Sequence, residues 1–466
     1  MAAKTFKRGL KLPTRKHATE GKPAEGVPAP KQVVIPINQH FGAPNKSLVA
    51  VGDRVKRGQK IADAAAPGPM TVPVHASIAG IVKKIEPRTQ SNNTDGFCII
   101  IEALPEGERA ETEYLPPLDI EKCTREEALA RIREAGLVGM GGAGFPAHVK
   151  LSPPPAKPID VIIADGAECE PYLTTDEALI TGRTNAVIQG LAIVMKITGV
   201  NRAIIGMEDN KAPLIPLLEK AIGEVAHPGT IEIGLCKTRY PQGGEKVLIT
   251  ALTGREVPSG GLPMDAGCIV QNVGTLAAIS DALTRGKPLI ERGLTVSGGA
   301  CKTPKNIIAP IGTLITDLVP GFIDIDYDNL RKILFGGPMM GTAVPTPAIP
   351  IQKNTSGIIL MTAEETYADP EGPCIRCGRC LRTCSCRLSP VLMNLALEAG
   401  DLDEAVKAGL MDCIECGSCS YICPARIKLV QRFRIGKGRL RAQQALQAAR
   451  QKAAEAASSP AAVDKK

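Results

Sequence analysis

CIRCGRCLRTC at residues 374–384 and CIECGSCSYICP at residues 413–424 repeat one spacing, C-x2-C-x2-C-x3-C. A cubane iron–sulfur cluster takes three thiolates from one tight loop and a fourth from elsewhere. In chains that hold two 4Fe-4S clusters, the fourth cysteine of each run serves the other cluster. That rule assigns Cys374, Cys377, Cys380 and Cys423 to one cluster, and Cys413, Cys416, Cys419 and Cys384 to the second. Structural zinc is the rival chemistry, but it uses two separated ligand pairs rather than two triplets each followed by a fourth cysteine. Pro424 follows Cys423, whereas Ser385 and Cys386 follow Cys384, so Cys386 stays open as a replacement ligand although the spacing favours Cys384. Residues 390–409, between the runs, are helical in pattern, which predicts an enlarged two-cluster ferredoxin-like module over 370–440. A basic, Ala-rich tail follows at 441–466, its end expected to be disordered.

Outward from this module, 466 residues exceed what one core can bury and predict about three domains. Hydrophobic residues at 44% and charged residues at 22% describe a globular chain rather than a disordered one. No stretch reaches the roughly 20 apolar residues of a membrane span. The longest candidate, 188–200, is interrupted by Gly190 and Lys196. The start, MAAKTFKRGLKLPTRKH, is basic but lacks an apolar region, so no secretory signal is expected and the fifteen cysteines are read as cytoplasmic thiols. The seven outside the two runs read as small buried hydrophobes. Of the net charge of +8, nine Lys or Arg and no acid fall within 426–452. That segment reads as a solvated helix face, or as a surface for anionic lipid or an acidic partner. With Phe433 as its sole aromatic, it is not expected to bind nucleic acid.

Residues 1–30 read as an extended arm. Short β-rich runs follow at 33–104, and Thr124-Arg125-Glu126-Glu127 predicts a capping box at the start of a helix. Strand candidates at 161–164, 203–206 and 231–235 then alternate with helix candidates at 176–180, 186–197, 214–222 and 245–252, which predicts a parallel sheet covered on both faces. Strand-like runs return at 287–362. The loop Gly139-Met140-Gly141-Gly142-Ala143-Gly144-Phe145 satisfies G-x-G-x-x-G, but it follows a helix where a dinucleotide fingerprint follows a strand. Asp165-Gly166-Ala167-Glu168-Cys169-Glu170-Pro171-Tyr172 begins where a strand ends, the place where open α/β sheets bind ligands. Tyr240-Pro241-Gln242-Gly243-Gly244-Glu245-Lys246 opens a helix able to hold a phosphate. Aromatic residues are 3% of the chain, yet Phe145, Tyr172 and Tyr240 each sit in one of these loops, which favours a stacked aromatic cofactor over core packing.

The phrases GLVGMGGAGFPAHVKL, GAECEPYLT, GMEDNK, YPQGGEKVLITALTGREVP, TPKNIIAPIGT, FGGPMMGTAV and CIRCGRC, in this order, resemble the C-subunit family of the Rnf (Rsx) ion-translocating electron-transport complexes. The loops also resemble the flavin- and NADH-binding subunit of respiratory complex I. The resemblance implies a barrel-sandwich hybrid domain at 31–110, a Rossmann-like FMN/NADH-binding α/β domain at 120–285 and a β-grasp (SLBB) domain at 287–365. It further implies FMN held by Gly141, Gly142, Asp165, Glu168, Gln271 and Asn272, with Phe145, Lys150, Glu170 and Glu245 facing NAD(H). Gly139, Ala143, Gly144, Tyr172 and Gly244 complete the cofactor loops. Asp165 stands where Asn is common, and Lys246 replaces a second acid. Val74-His75-Ala76, at the expected tip of the first domain, offers no lysine for a carrier. The implied activity is electron transfer between ferredoxin and NAD+ coupled to Na+ or H+ translocation. Its setting is the cytoplasmic side of the membrane, with integral membrane and Fe-S subunits as partners. A soluble cobalamin reductase remains a rival, although its barrel-sandwich segment is expected after the cysteines. A scaffold with clusters but no flavin is the second rival.

Overall fold

The computed structural model describes residues 2–66, 68, 70–108, 112–366 and 369–458, the last seven by backbone alone. The chain forms two compact units: residues up to 6 with 11–368, and residues 7–10 with those from 369 onward.

In the first unit, residues 32–103 build two small sheets. One runs in the order Gln32–Pro36, Asp95–Ala103, Gly80–Thr89, Arg54–Val55, and the other joins Lys46–Ser47, Lys60–Asp63 and Val74–His75. Alternating β-branched residues, among them Val33, Ile35, Ile61, Val74, Ile99 and Ile101, fill a single core between them. His75 lies in a paired strand and is buried, so Val74-His75-Ala76 is no exposed tip.

Thr124 caps helix Arg125–Glu134 as expected: its hydroxyl accepts from Glu127 N at 3.2 Å, and its own N–H donates to Glu127 Oε2 at 2.8 Å. A four-stranded parallel sheet follows in the order Thr230–Cys236, Arg202–Glu208, Val161–Gly166, Cys268–Asn272. Taken by chain position the order is third, second, first, fourth, so its direction reverses between the last two. The segments 176–180 and 186–197, read as two helices, form one, Thr175–Thr198, which departs from helical geometry at Arg183. The Arg183 guanidinium is held there by Asp281, with contacts of 2.7 and 3.0 Å. This helix is apolar and long enough to cross a membrane, yet 61% of its apolar window is buried. It packs on helix Val273–Thr284 so closely that a Cβ on Gly190 would stand 1.9 Å from the Leu276 carbonyl oxygen.

The third region is a six-stranded sheet in the order Ala24–Gly26, Lys305–Pro310, Glu291–Ser297, Gly357–Met361, Lys332–Phe335, Thr342–Val344. Glu291–Ser297 and Gly357–Met361 run parallel at its centre. The first strand corrects the reading of residues 1–30 as an arm: Ala24–Gly26 is an edge strand, parallel to Lys305–Pro310. Upstream, Lys4 bridges Cys236, and buried Asn306 donates to the carbonyls of Thr19 and Lys22 at 3.2 and 3.1 Å. Its Lys, Pro, Gly and Ala content reads as an arm, but backbone pairing with distant strands holds it.

The second unit is helical. Pro390–Glu398 and Leu402–Lys407 occupy the stretch read as helical between the cysteine runs, and Leu429–Ser458 follows the second run. Met393, Ala405, Leu410, Val430 and Phe433 form its core, with Cys380, Cys413 and Cys423 against it. The basic helix finds acids within the unit: Arg432 pairs with Glu371 and Glu398, and Arg434 and Lys437 pair with Glu415. The tail expected to be disordered is helical to Ser458, and residues 459–466 lie outside the described residues.

Candidate functional site

Where strand order reverses in a parallel sheet, the crossovers leave in opposite directions and a crevice opens at the strands' carboxyl ends. That point lies between Val161–Gly166 and Cys268–Asn272, whose register pairs Asp165 with Asn272. The glycine-rich loop lies against it. Met140 N–H donates to Thr275 Oγ1 at 3.0 Å, and a Cβ on Gly141 would stand 3.1 Å from Asn272 Cβ, so any larger residue there would press on Asn272. At Gly142 nothing lies within 4 Å. Gly139 N–H donates to the Phe145 carbonyl at 2.8 Å and Val138 bridges Pro146, which closes the loop on itself around Ala143 and Gly144.

Carboxyl groups crowd this crevice. Burial raises Asp165 well above the usual range, with the charges of Asp176 and Glu245 adding to it, while its Oδ1 accepts from Ala167 N at 3.0 Å. A protonated Asp165 carboxyl has nearly the shape of an asparagine amide. Burial likewise raises Glu168 to about 7; its Oε1 accepts from Asp176 N at 3.0 Å. Asn272 Nδ2 donates to Asp176 Oδ2 at 2.9 Å. Two cations unnoticed in the sequence brace this cluster. Lys16, from the N-terminal segment, is buried and donates to the Glu168 and Leu173 carbonyls at 2.5 and 2.6 Å. Arg292, also buried, donates to the Met140 carbonyl at 3.0 Å and so holds the glycine-rich loop. No local pattern marks either residue.

The candidate aromatics separate. Tyr172, at φ 68°, donates to Glu365 Oε1 at 2.7 Å and packs with Leu173, Leu334, Ile359 and Met361. Tyr240 is fully buried, its hydroxyl 3.4 Å from Glu170 Oε1. Core packing thus accounts for both tyrosines, and of the three loop aromatics Phe145 alone stays exposed. Glu170 accepts from Met339 N at 3.0 Å and Met340 N at 2.9 Å, so it clasps the FGGPMMG turn of the six-stranded region. Lys150 and Glu245 are paired with each other, and Gly244 is the N-cap of helix Glu245–Thr253. Gln271 is buried with its Nε2 lacking a partner among the described residues. Buried Gln242, in the neighbouring loop, lacks partners among the described residues at both ends of its amide. Buried amides without partners are what a polar ligand would satisfy.

In the second unit the two cysteine runs have one backbone, displaced by thirty-nine residues. Arg376 and Glu415 take positive φ (53° and 56°), as do Gly378 and Gly417 (69° and 79°) and Arg387 and Arg426 (57° and 56°). Arg387 N–H donates to the Cys384 carbonyl at 3.0 Å, and Arg426 N–H to the Cys423 carbonyl at 3.1 Å. This register matches Cys384 with Cys423, and Cys386 with Ala425. The thiols also sense one another across the runs. Burial first, then neighbours that include Cys416 and Cys384, raises Cys413 to about 12, and Cys419 rises for the same reasons. Cys380 is raised by burial, with Cys423 and Cys377 adding. Among the described residues, no group of three or more His, Cys, Asp or Glu is set to hold a single metal ion.

Three family descriptions match the chain: an RnfC barrel sandwich hybrid domain at 4–105, a Nuo51 FMN-binding domain at 132–281 and a 4Fe-4S dicluster domain at 366–424. The C-subunit of the proton-translocating ferredoxin:NAD(+) oxidoreductase complex of Clostridium ljungdahlii is 45% identical, over 94% of each chain. Its Na(+)-translocating counterpart from Acetobacterium woodii is 40% identical over 94% of this chain and 98% of its own length. The protein belongs to the RnfC family. The C-subunit of the ion-translocating oxidoreductase complex of Rhodobacter capsulatus is also similar, 37% identical over 93% of this chain and 82% of its own. An NAD+-reducing [NiFe]-hydrogenase structure, in its air-oxidized state, aligns with 70% of this chain and 69% of its own at a TM-score of 0.49 and 21% identity. By the family matches the RnfC chain carries an FMN-binding domain and a 4Fe-4S dicluster domain, and the residues present suit both groups. Eight thiols in two runs of one spacing are the number and kind of donors that a pair of cubanes takes. The close approach at Gly141, the open space at Gly142 and the unpartnered Gln271 amide suit a flat, polar ligand in the crevice.

Proposed function

We propose that this chain is the peripheral NADH-, FMN- and iron–sulfur-binding subunit of a membrane complex that couples electron transfer between ferredoxin and NAD+ to Na+ or H+ translocation. We place it on the cytoplasmic side, beside integral membrane and Fe-S subunits. The observation that carries the reading is the Asp165–Asn272 crevice with the glycine-rich loop against it, in one chain with two cysteine runs of matching backbone. Bound FMN exchanges two electrons with a nicotinamide and one at a time with 4Fe-4S clusters. The α/β sheet then serves as a Rossmann-like domain within 120–285, and the six-stranded sheet as a β-grasp (SLBB) domain within 287–365.

In this reading the backbone of Gly139, Gly141, Gly142, Ala143 and Gly144 would line the flavin, Gln271 Nε2 would donate to its polar edge, and Asn272, its amide held by Asp176, would shape the crevice wall beside it. Burial raises Asp165 and so favours its protonated form, which would donate a hydrogen bond where an ionised carboxylate could only accept. Glu168 orients the helix start at Asp176. Lys150 and Glu245, at the mouth, open their ion pair to receive the nucleotide, whose phosphates meet the helix start at Gly244. Glu170 and Tyr172 brace the loop from behind. Cys374, Cys377, Cys380 and Cys423 hold one cluster, and Cys413, Cys416, Cys419 and Cys384 the other.

The test is anaerobic reconstitution of the full chain with FMN and iron–sulfide, then NADH addition. Stoichiometric FMN and bleaching of the broad visible cluster absorbance are expected. A protein that binds clusters but no flavin would instead be the electron-transfer scaffold.

A further inference from the structure

We propose that Phe41, a side chain of the N-terminal β domain, forms the outer wall of the nucleotide site and stacks on the adenine of the dinucleotide. This rests on the reading above that the crevice takes NAD(H). The chain has seven Phe and no Trp, yet two of those phenylalanines lie side by side at the surface. Phe41 is 60% exposed and Phe145 36% exposed, with ring centroids 6.3 Å apart and planes inclined by 22°. Paired rings left to water are not explained by core burial, and they present a flat apolar surface at the end of the glycine-rich loop.

The loop that carries Phe41 is built to hold it there. Phe41 N–H donates to the Gly144 carbonyl at 3.0 Å, which ties the β domain to the glycine-rich loop directly. Asn45 Nδ2 donates to the carbonyls of Ile37 and Val72 at 2.9 and 3.0 Å, and Asn45 N–H to Asn38 Oδ1 at 2.7 Å. Gln39 donates to the Pro36 carbonyl at 2.9 Å and accepts from Lys353 N at 3.0 Å. Gly42 lies so close beneath Met70 that a Cβ would stand 1.9 Å from its carbonyl oxygen. Phe41 is therefore presented on a rigid loop.

Position along the glycine-rich loop selects the base. Its Gly141 end touches Asn272 in the crevice, where the flavin and hence the nicotinamide must meet, and its Phe145 end is at the rim. A dinucleotide with its nicotinamide inside places its second aromatic ring outward, against the Phe41–Phe145 pair. The β domain, whose Val74-His75-Ala76 offers no carrier lysine, thus contributes an outer wall. Base–aromatic stacking needs only a π face, so the expected contribution is to affinity rather than to the chemical step.

Two variants test this in the full chain. In FMN- and cluster-reconstituted Phe41→Ala, the KM for NADH with ferricyanide as acceptor should rise about tenfold with kcat unchanged. The KM for reduced nicotinamide mononucleotide, which lacks adenine, should not move. Phe41→Trp introduces the chain's sole indole. Its fluorescence should be quenched by ADP-ribose in flavin-free protein, and NADH KM should stay near wild type. An unchanged NADH KM in Phe41→Ala, equal rises for both substrates, or an unquenched indole would overturn the assignment. Wild-type protein that oxidises NADH while Phe41→Ala behaves identically removes only the role of Phe41. Wild-type protein that oxidises neither substrate removes the reading of the crevice, and quenching by ADP-ribose still supports Phe41.

Discussion

Glu170→Gln changes one oxygen to NH2 at nearly constant volume, at the contact that joins the 165–172 loop to the six-stranded region. In the wild type both carboxylate oxygens accept backbone N–H groups, from Met339 at 3.0 Å and Met340 at 2.9 Å. The amide keeps one acceptor and sets its NH2 against the other N–H, which loses a buried hydrogen bond at a cost of about 1–3 kcal/mol. Opposing this, burial raises the Glu170 carboxyl from 4.5 to about 7 in the folded protein. The folded state then holds the proton more tightly than the unfolded chain. Its contribution to stability is whole below about pH 4.5 and is lost as pH climbs towards 7, by about 3 kcal/mol in all. Glutamine does not titrate. The variant should therefore be less stable than wild type at pH 5 by about 1–3 kcal/mol, and equal or more stable at pH 8. Urea unfolding of both proteins at the two pH values reads this difference, in which all other titrating groups cancel. A difference that is constant with pH, or a raised KM for NADH with no change in the stability profile, would refute the clasp and return Glu170 to the nucleotide.

Two further outcomes concern the cysteine runs and the helix pair of the α/β region. Cys384→Ser should lose one cluster's iron while Cys386→Ser keeps both, because the thirty-nine-residue register matches Cys384 with Cys423; iron and acid-labile sulfide analysis of anaerobic protein checks it. Gly190→Ala places a methyl against the Leu276 backbone, which cannot yield as a side chain would, and should destabilise by about 3 kcal/mol, read as a lowered thermal midpoint.

What sequence reasoning reached was local. The cysteine spacing, the capping box at Thr124 and the glycine-rich loop each lie within a dozen residues, so side-chain chemistry and helix geometry identify them directly. What it missed depends on pairing between distant segments. Lys16 looks like one more charge in a basic start, and only the fold brings it under the Glu168 and Leu173 carbonyls. Arg292 and Phe41 reach the glycine-rich loop from two other regions. The aromatic count misled because rarity does not say which way a ring faces: Tyr172 and Tyr240 are buried, and Phe145 is not. The break at Arg183 hid a continuous helix, since its local pattern gave no sign of the Asp281 partner beyond it.

The edge strand Ala24–Gly26 waits for a neighbour, Lys305–Pro310, about 280 residues later. At ribosomal speeds of roughly 5–20 residues per second, that neighbour emerges some tens of seconds after the strand itself. The strand therefore spends most of translation unclaimed, and the last sheet to be synthesised is the one that gathers it in.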